Sequence, residues 1–104
     1  MATNIRAKLS EKNKYWIDKH RHYELKHFCL QYPSWKKAYY ADRINLVEQT
    51  AKQADDELYM YLLKGVTEEL SYTYLKSQLN IPCGKDMYYD RYRRFFWLLD
   101  NSRK

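Results

Sequence analysis

Glycine, proline and cysteine are scarce in this 104-residue chain, with two residues of each. So little glycine and proline argues against disorder, collagen-like structure and the turn-rich sandwiches of all-β proteins. Cys29 and Cys83 lie too far apart in sequence for a C-x-x-C metal clip, and two cysteines make no disulfide framework. They read as reduced thiols of a cytosolic protein. No run approaches the roughly 20 apolar residues that cross a bilayer. The first residues, MATNIRAKLSEKNKYW, lack the apolar stretch of a secretory signal. The expectation is therefore a cytoplasmic protein with no membrane partner.

Catalytic patterns are missing too. There is no glycine-rich phosphate loop and no paired-carboxylate motif. Ser34, Ser71 and Cys83 have no His or Asp at a recognisable spacing. The chain does not read as an enzyme, and no cofactor is implied. His20, Glu24 and His27 share one helical face, yet no second cluster supplies a fourth ligand for zinc, so they read as a solvated face.

Present in quantity are tyrosine and positive charge. Twelve tyrosines bring aromatic residues to 17%, and apolar residues reach 45%, enough for one core. Tyrosine can bury its ring while keeping its hydroxyl wet, which suits a small protein that meets a polar partner. Nineteen Lys and Arg against thirteen Asp and Glu give a formal charge of +6, a balance that favours polyanions such as nucleic acid. The charge is uneven. Asp55, Asp56, Glu57, Glu68 and Glu69 make residues 55–69 acidic. Residues 70–104 carry Lys76, Lys85, Arg91, Arg93, Arg94, Arg103 and Lys104 against three acids.

The pattern is helical throughout, and the predicted fold is all-α with about five helices in one domain spanning 1–104. Residues 1–11 are polar and expected to fray. A helix is predicted over 12–31, ended by Pro33, which lacks an N–H and disfavours helix in the residue before it. A second starts near Ser34 and runs unbroken to about residue 53. A third, over 56–69, follows a boundary that Asp55 or Asp56 caps; it buries Leu58, Tyr61, Leu62, Gly65 and Val66. Gly65 permits close packing or a kink.

The most specific signal is 71–99, SYTYLKSQLNIPCGKDMYYDRYRRFFWLL. Ser71 caps a short helix over 72–79, Asn80 ends it, Ile81–Gly84 form a turn, and a basic-aromatic helix runs from Lys85 to about Asp100. That is the outline of a helix-turn-helix, which lays its second helix in the DNA major groove. Tyr88, Tyr92, Phe95 and Leu99 recur on one narrow face and are expected in the core. Lys85, Asp86, Tyr89, Asp90 and Arg93 are expected outward, flanked by Arg94. Arg93 suits guanine, Lys85 guanine or phosphate, and Tyr89 phosphate or a thymine methyl. Asp86 and Asp90 either accept from cytosine or pair with Arg93 and Arg94. Tyr72, Tyr74, Lys76 and Ser77 on the short helix are placed to contact the DNA backbone. The other reading of these residues is a helical hairpin, core on one side and solvated on the other.

The aromatic run Phe95-Phe96-Trp97-Leu98-Leu99 exceeds what one face buries. Its surplus either packs on the first two helices or forms a contact patch, for a homodimer or for RNA polymerase.

The segment NIPCGKDMYYDRYRRFF, 80–96, resembles the C-terminal helix-turn-helix of ArpU/RinA-like late-gene transcription regulators of phages and mobile elements in Gram-positive bacteria. These are themselves similar to region 4 of sigma factors. The shared features are the Ile-Pro turn, a small capping residue, an aromatic pair one turn later and a basic run ending in aromatics. The resemblance covers the last third of the chain. It implies double-stranded DNA as partner, with Lys85, Asp86, Tyr89 and Arg93 toward the DNA and Tyr88, Tyr92 and Phe95 in the core. Gly84 departs from the usual serine cap, and the two acids make the reading face less basic. The rival from another class is a protein–protein adaptor that works through the aromatic surface and the acidic third helix.

Overall fold

In the computed structural model, which describes residues 14–103, six helices and no strand occur among the described residues: α1 (Lys19–Leu30), α2 (Tyr32–Ala38), α3 (Ala41–Ala54), α4 (Tyr59–Glu68), α5 (Tyr72–Leu79) and α6 (Lys85–Ser102). The all-α fold is as expected. The reading of residues 1–11 lies outside the described residues. The first helix, expected over 12–31, begins only at Lys19, because the Asp18 side chain accepts the His20 N–H at 2.9 Å and caps it there. Pro33 does not end structure; it sits in the first turn of α2, where its missing N–H costs nothing.

The unbroken second helix is a correction. Tyr39 adopts a left-handed conformation (φ 60°, ψ 38°), and the chain divides there into α2 and α3. The reason is rotational. At 100° per residue, an unbroken helix would point Trp35 about 120–160° away from Val47 and Ala51. All three are buried. The break lets Trp35 turn onto Phe28 (ring centroids 4.6 Å apart) while α3 presents Val47, Thr50, Ala51 and Ala54 to the same core. A left-handed non-glycine residue costs roughly 1 kcal/mol, small against burying an indole.

The remaining boundaries follow the expected chemistry. Asp55 caps the turn into α4 by accepting the Glu57 and Leu58 N–H groups at 3.0 Å. Ser71 caps α5 by accepting the Tyr74 N–H at 3.1 Å. Asn80 closes α5 in the left-handed region, with the Ile81 N–H reaching back to the Leu75 carbonyl.

The last helix is the post around which α1, α3 and α4 pack. Its buried residues are Tyr88, Tyr89, Phe95, Phe96, Leu99 and Asp100, an arc of about 140° on the helical wheel. Gly65 of α4 meets this post directly: a Cβ there would collide with the Tyr88 hydroxyl. Two ion pairs hold the post to its neighbours. Arg21 of α1 binds Asp100 at 2.6 Å, and Arg91 binds Asp55 at 2.9 Å.

Two predictions follow from this packing. Gly65→Ala gains about 1 kcal/mol of helix propensity but overpacks against Tyr88, which costs about 1–3 kcal/mol, so the net effect is a lower melting temperature. Tyr88→Phe removes an enclosed hydroxyl that has no hydrogen-bond partner among the described residues. It should add about 1 kcal/mol and rescue Gly65→Ala in the double variant; a Tyr88→Phe chain less stable than the parent contradicts this account. The second prediction concerns alkaline pH. Burial pushes the Cys29 thiol from 9.0 up to about 12 and raises the Tyr88 phenol as well. The fold therefore holds these protons more tightly than the unfolded chain does. Their stabilising effect is complete below about pH 9 and is lost as pH rises from 9 toward 12. Melting curves from pH 7 to 11 should decline from about pH 9, and less steeply in Cys29→Ala.

Candidate nucleic-acid interface

The geometry of α5, the turn and α6 comes from tyrosines. The Tyr72 hydroxyl donates to the Cys83 carbonyl at 2.7 Å, fastening the start of α5 to the turn. The Tyr72 N–H donates to the Tyr89 hydroxyl at 3.3 Å, fastening it to the second turn of α6. The Tyr72 ring leans on both Tyr88 and Tyr89, with centroids 5.9 and 6.5 Å away. Leu75 and Ile81 are fully buried beneath. Lys76 donates to the Ile81 carbonyl at 3.3 Å and closes the turn from outside. The short helix cannot swing freely relative to the long one.

This bracing decides which expected residues are outward. Lys85 and Asp86 are exposed on the first turn of α6, joined by Met87. Tyr74 is exposed on α5. Lys76 is also exposed, though its ammonium is engaged with the turn. Asp90 and Arg94 are half-exposed. Tyr89 is a correction: it is buried, and its hydroxyl serves α5. The expected core stripe was too narrow. Three helices and the Tyr72 ring surround α6, so the buried arc extends past Tyr88 to Tyr89 and Phe96. Arg93 falls at the edge of that arc. It is half-buried, and its guanidinium Nε is enclosed without a hydrogen-bond partner among the described residues. The outward line of α6 is thus Asp86, Met87, Asp90, Arg94, Trp97 and Asn101, rotated from the expected Lys85–Tyr89–Arg93 line.

Asp90 is not paired with Arg93 or Arg94. It binds its neighbour Arg91, whose other arm holds Asp55. Sequence reasoning counted Arg91 as one more cation; the structure makes it the tie between α6 and the α3–α4 turn. Only tertiary proximity could reveal that, because Asp55 lies 36 residues away. The aromatic run is largely absorbed by the fold: Phe95, Phe96 and Leu99 are buried, and Trp97 is half-buried with Tyr15 edge-on at 5.6 Å.

No cluster of His, Cys, Asp or Glu among the described residues could hold a metal ion. No helix among them is long and apolar enough to cross a membrane. Cys29 and Cys83 are both free, and burial raises both thiols.

In comparisons with known proteins, no family model matches this chain, and neither a curated protein nor a solved structure matches it.

The two arginines one turn apart make a sharp contrast. Arg91→Ala leaves Asp55, whose side chain is only 12% exposed, with its backbone N–H donors but without its ion-pair partner. After allowance for the 29% exposure of Arg91, the loss should be about 1–2 kcal/mol in urea unfolding. Arg94→Ala, with no ion pair among the described residues, should shift stability by less than about 0.5 kcal/mol. Equal effects would mean that the Arg91–Asp55 tie contributes nothing.

Proposed function

We propose that this chain binds double-stranded DNA through α5, the turn and the front of α6. The observation that carries the reading is the brace of Tyr72 and Tyr89 hydroxyls behind a first turn of α6 that stands free of the other helices. A recognition helix needs a fixed angle to its partner helix and an unobstructed N-terminal end. Lys85 supplies a cation on that first turn, Arg94 supplies another further along the outward line of α6, and Tyr74 supplies a hydroxyl on α5 for phosphate. Asp86 faces outward on the same turn, where it accepts from a cytosine amine. Arg93 approaches the groove from the flank, and Tyr89 acts from behind as a positioning residue. With the resemblance of 80–96 to ArpU/RinA-like regulators, the role is transcription regulation in a phage or mobile element, carried out in the cytoplasm. A homodimer reading two half-sites fits the same role.

The second reading, a helical protein-binding adaptor that contacts a partner such as RNA polymerase, has one observation in its favour. Asp56 and Glu57 are exposed beside the α4 turn, and Met60 and Met87 stand out on the surface. Acids with exposed methionines suit a basic protein better than DNA.

Fluorescence anisotropy on a labelled 20-base-pair duplex pool separates the two readings. Duplex binding should weaken steeply from 50 to 200 mM salt. Lys85→Ala and Arg94→Ala should each lower the logarithmic salt slope by about 0.9 where they meet a phosphate. With a duplex selected from the pool, Arg93→Ala should cost about 1–3 kcal/mol of discrimination. No duplex binding at 50 mM salt, or binding unchanged by Lys85→Ala and Arg94→Ala together, overturns the proposal and favours the adaptor.

A further inference from the structure

The elbow between α2 and α3 lies at the opposite end of α3 from its tie to α6. The C-terminal end of α3 is tied by Asp55 to Arg91 in the first half of α6. Fourteen helical residues separate that tie from the elbow, a span of about 20 Å. At the elbow, Tyr39 is 88% and Tyr40 51% exposed. No other adjacent pair of large hydrophobic residues is exposed among the described residues. They border an open hollow of about 500 Å³ lined by Tyr39, Tyr40, Ala41, Asp42 and Arg43. The Arg43 guanidinium lies 5.1 Å from the centre of the Tyr40 ring. Lys36 and Lys37 complete the last turn of α2 just before Tyr39. Among the described residues none of these three cations has an ion-pair partner, whereas Arg21, Lys26, Lys64 and Arg91 are all paired with acids.

The platform is rigid. Trp35 is buried against Phe28 and Tyr32, and its carbonyl accepts the N–H groups of both Tyr39 and Tyr40. Tyr39 is held in left-handed backbone, a conformation a bulky residue rarely adopts, and its ring returns no burial for it. Lys36 lies over the Tyr32 ring and Arg43 over the Tyr40 ring, contacts that leave their charges unbalanced; exposed planar rings beside cations without carboxylate partners are the chemistry that holds unpaired bases and their phosphates. Rings stack on bases of any identity, and lysine and arginine track the backbone. A closed duplex offers its bases only at groove edges, so it cannot use the ring faces.

We infer that the α2–α3 elbow is a second nucleic-acid contact, which takes single-stranded polynucleotide by stacking unpaired bases on Tyr39 and Tyr40 while Lys36, Lys37 and Arg43 hold phosphate. It does not rest on the duplex reading, because no residue is shared with α5 or α6.

The test uses the full chain with fluorescein-labelled dT12 and rU12, measured by anisotropy at 50 mM salt, with a duplex in parallel. Both strands carry the shared chemistry; binding of either supports the site, and the tighter one names its source. Tyr39→Ala should weaken single-strand binding at least fivefold, with a further loss in Tyr39→Ala/Tyr40→Ala. Tyr39→Phe, which keeps the ring, should bind within twofold of the parent. Lys36→Ala/Lys37→Ala should weaken binding and flatten its salt dependence. All these side chains are exposed, so melting temperatures should stay unchanged and report that the fold is intact. Lys85→Ala should leave dT12 binding untouched, which keeps failure of the duplex reading distinct from failure here. Binding of neither strand, Tyr39→Ala binding like the parent, or binding through these residues to anionic vesicles instead of dT12, overturns the inference.

Discussion

Everything in this molecule leans on the aromatic flank of α6. Tyr72, Tyr88, Tyr89, Tyr92 and Phe96 form a run of edge-on and tilted rings at centroid distances of 4.9–6.5 Å. Phe95 meets Phe96 at one end of it, and His22 of α1 meets Phe96 and Tyr92. Rings in such geometry gain about 0.5–1.5 kcal/mol per pair beyond their buried area. Five helices otherwise too short to persist in water are organised by one that presents this surface. The abundance of tyrosine then has a structural reason. A phenylalanine ladder would bury the same area, but it could not supply the hydroxyls that reach the Cys83 carbonyl and the Tyr72 N–H.

Packing on so wide an arc also dictates the outer face. Each residue drawn inward rotates the free side of the helix away from it. Burying Tyr89 and Phe96 as well as Tyr88, Phe95 and Leu99 leaves the free side centred near Asp90 and Arg94. The front of α6 therefore carries charges of both signs, with Arg91 already committed to Asp55 and Asp90.

Local chemistry made half of the fold legible in the sequence. Ser71, Asn80, Gly84 and Asp55 mark helix ends through side-chain and backbone preferences that act over three or four residues. Accordingly α5, its turn and the start of α6 match the expectation residue for residue. Of the expected stripe, Leu58, Leu62, Gly65 and Val66 are buried, legible for the same reason, while Tyr61 is only half-buried. Features decided by distant partners were not. Nothing between Ser34 and Gln53 breaks a helix, and the break at Tyr39 exists only because Trp35 and Val47 must reach one core. Tyr89 was misread because periodicity gives the direction of a buried face but not its width, which depends on how many neighbours arrive. Arg91 looks in the sequence like Arg93 and Arg94; its role appears only when Asp55 is folded beside it.

A division among the cations follows from the same logic. Those paired with acids, Arg21, Lys26, Lys64 and Arg91, either join helices or brace one turn of a helix. Others lie over rings: Lys14 near Trp97, Lys36 near Tyr32, Arg43 near Tyr40, Lys52 near Tyr59 and Arg103 on Phe28. A carboxylate partner cancels the field of a cation at a distance, whereas a ring holds the side chain and leaves its charge unbalanced. In a chain with few acids to spare, aromatic neighbours thus fix basic side chains in place while the surface keeps its positive field. The tyrosines that build the core of α6 and those that seat the surface cations perform two halves of one design: a rigid frame whose positive charge stays available.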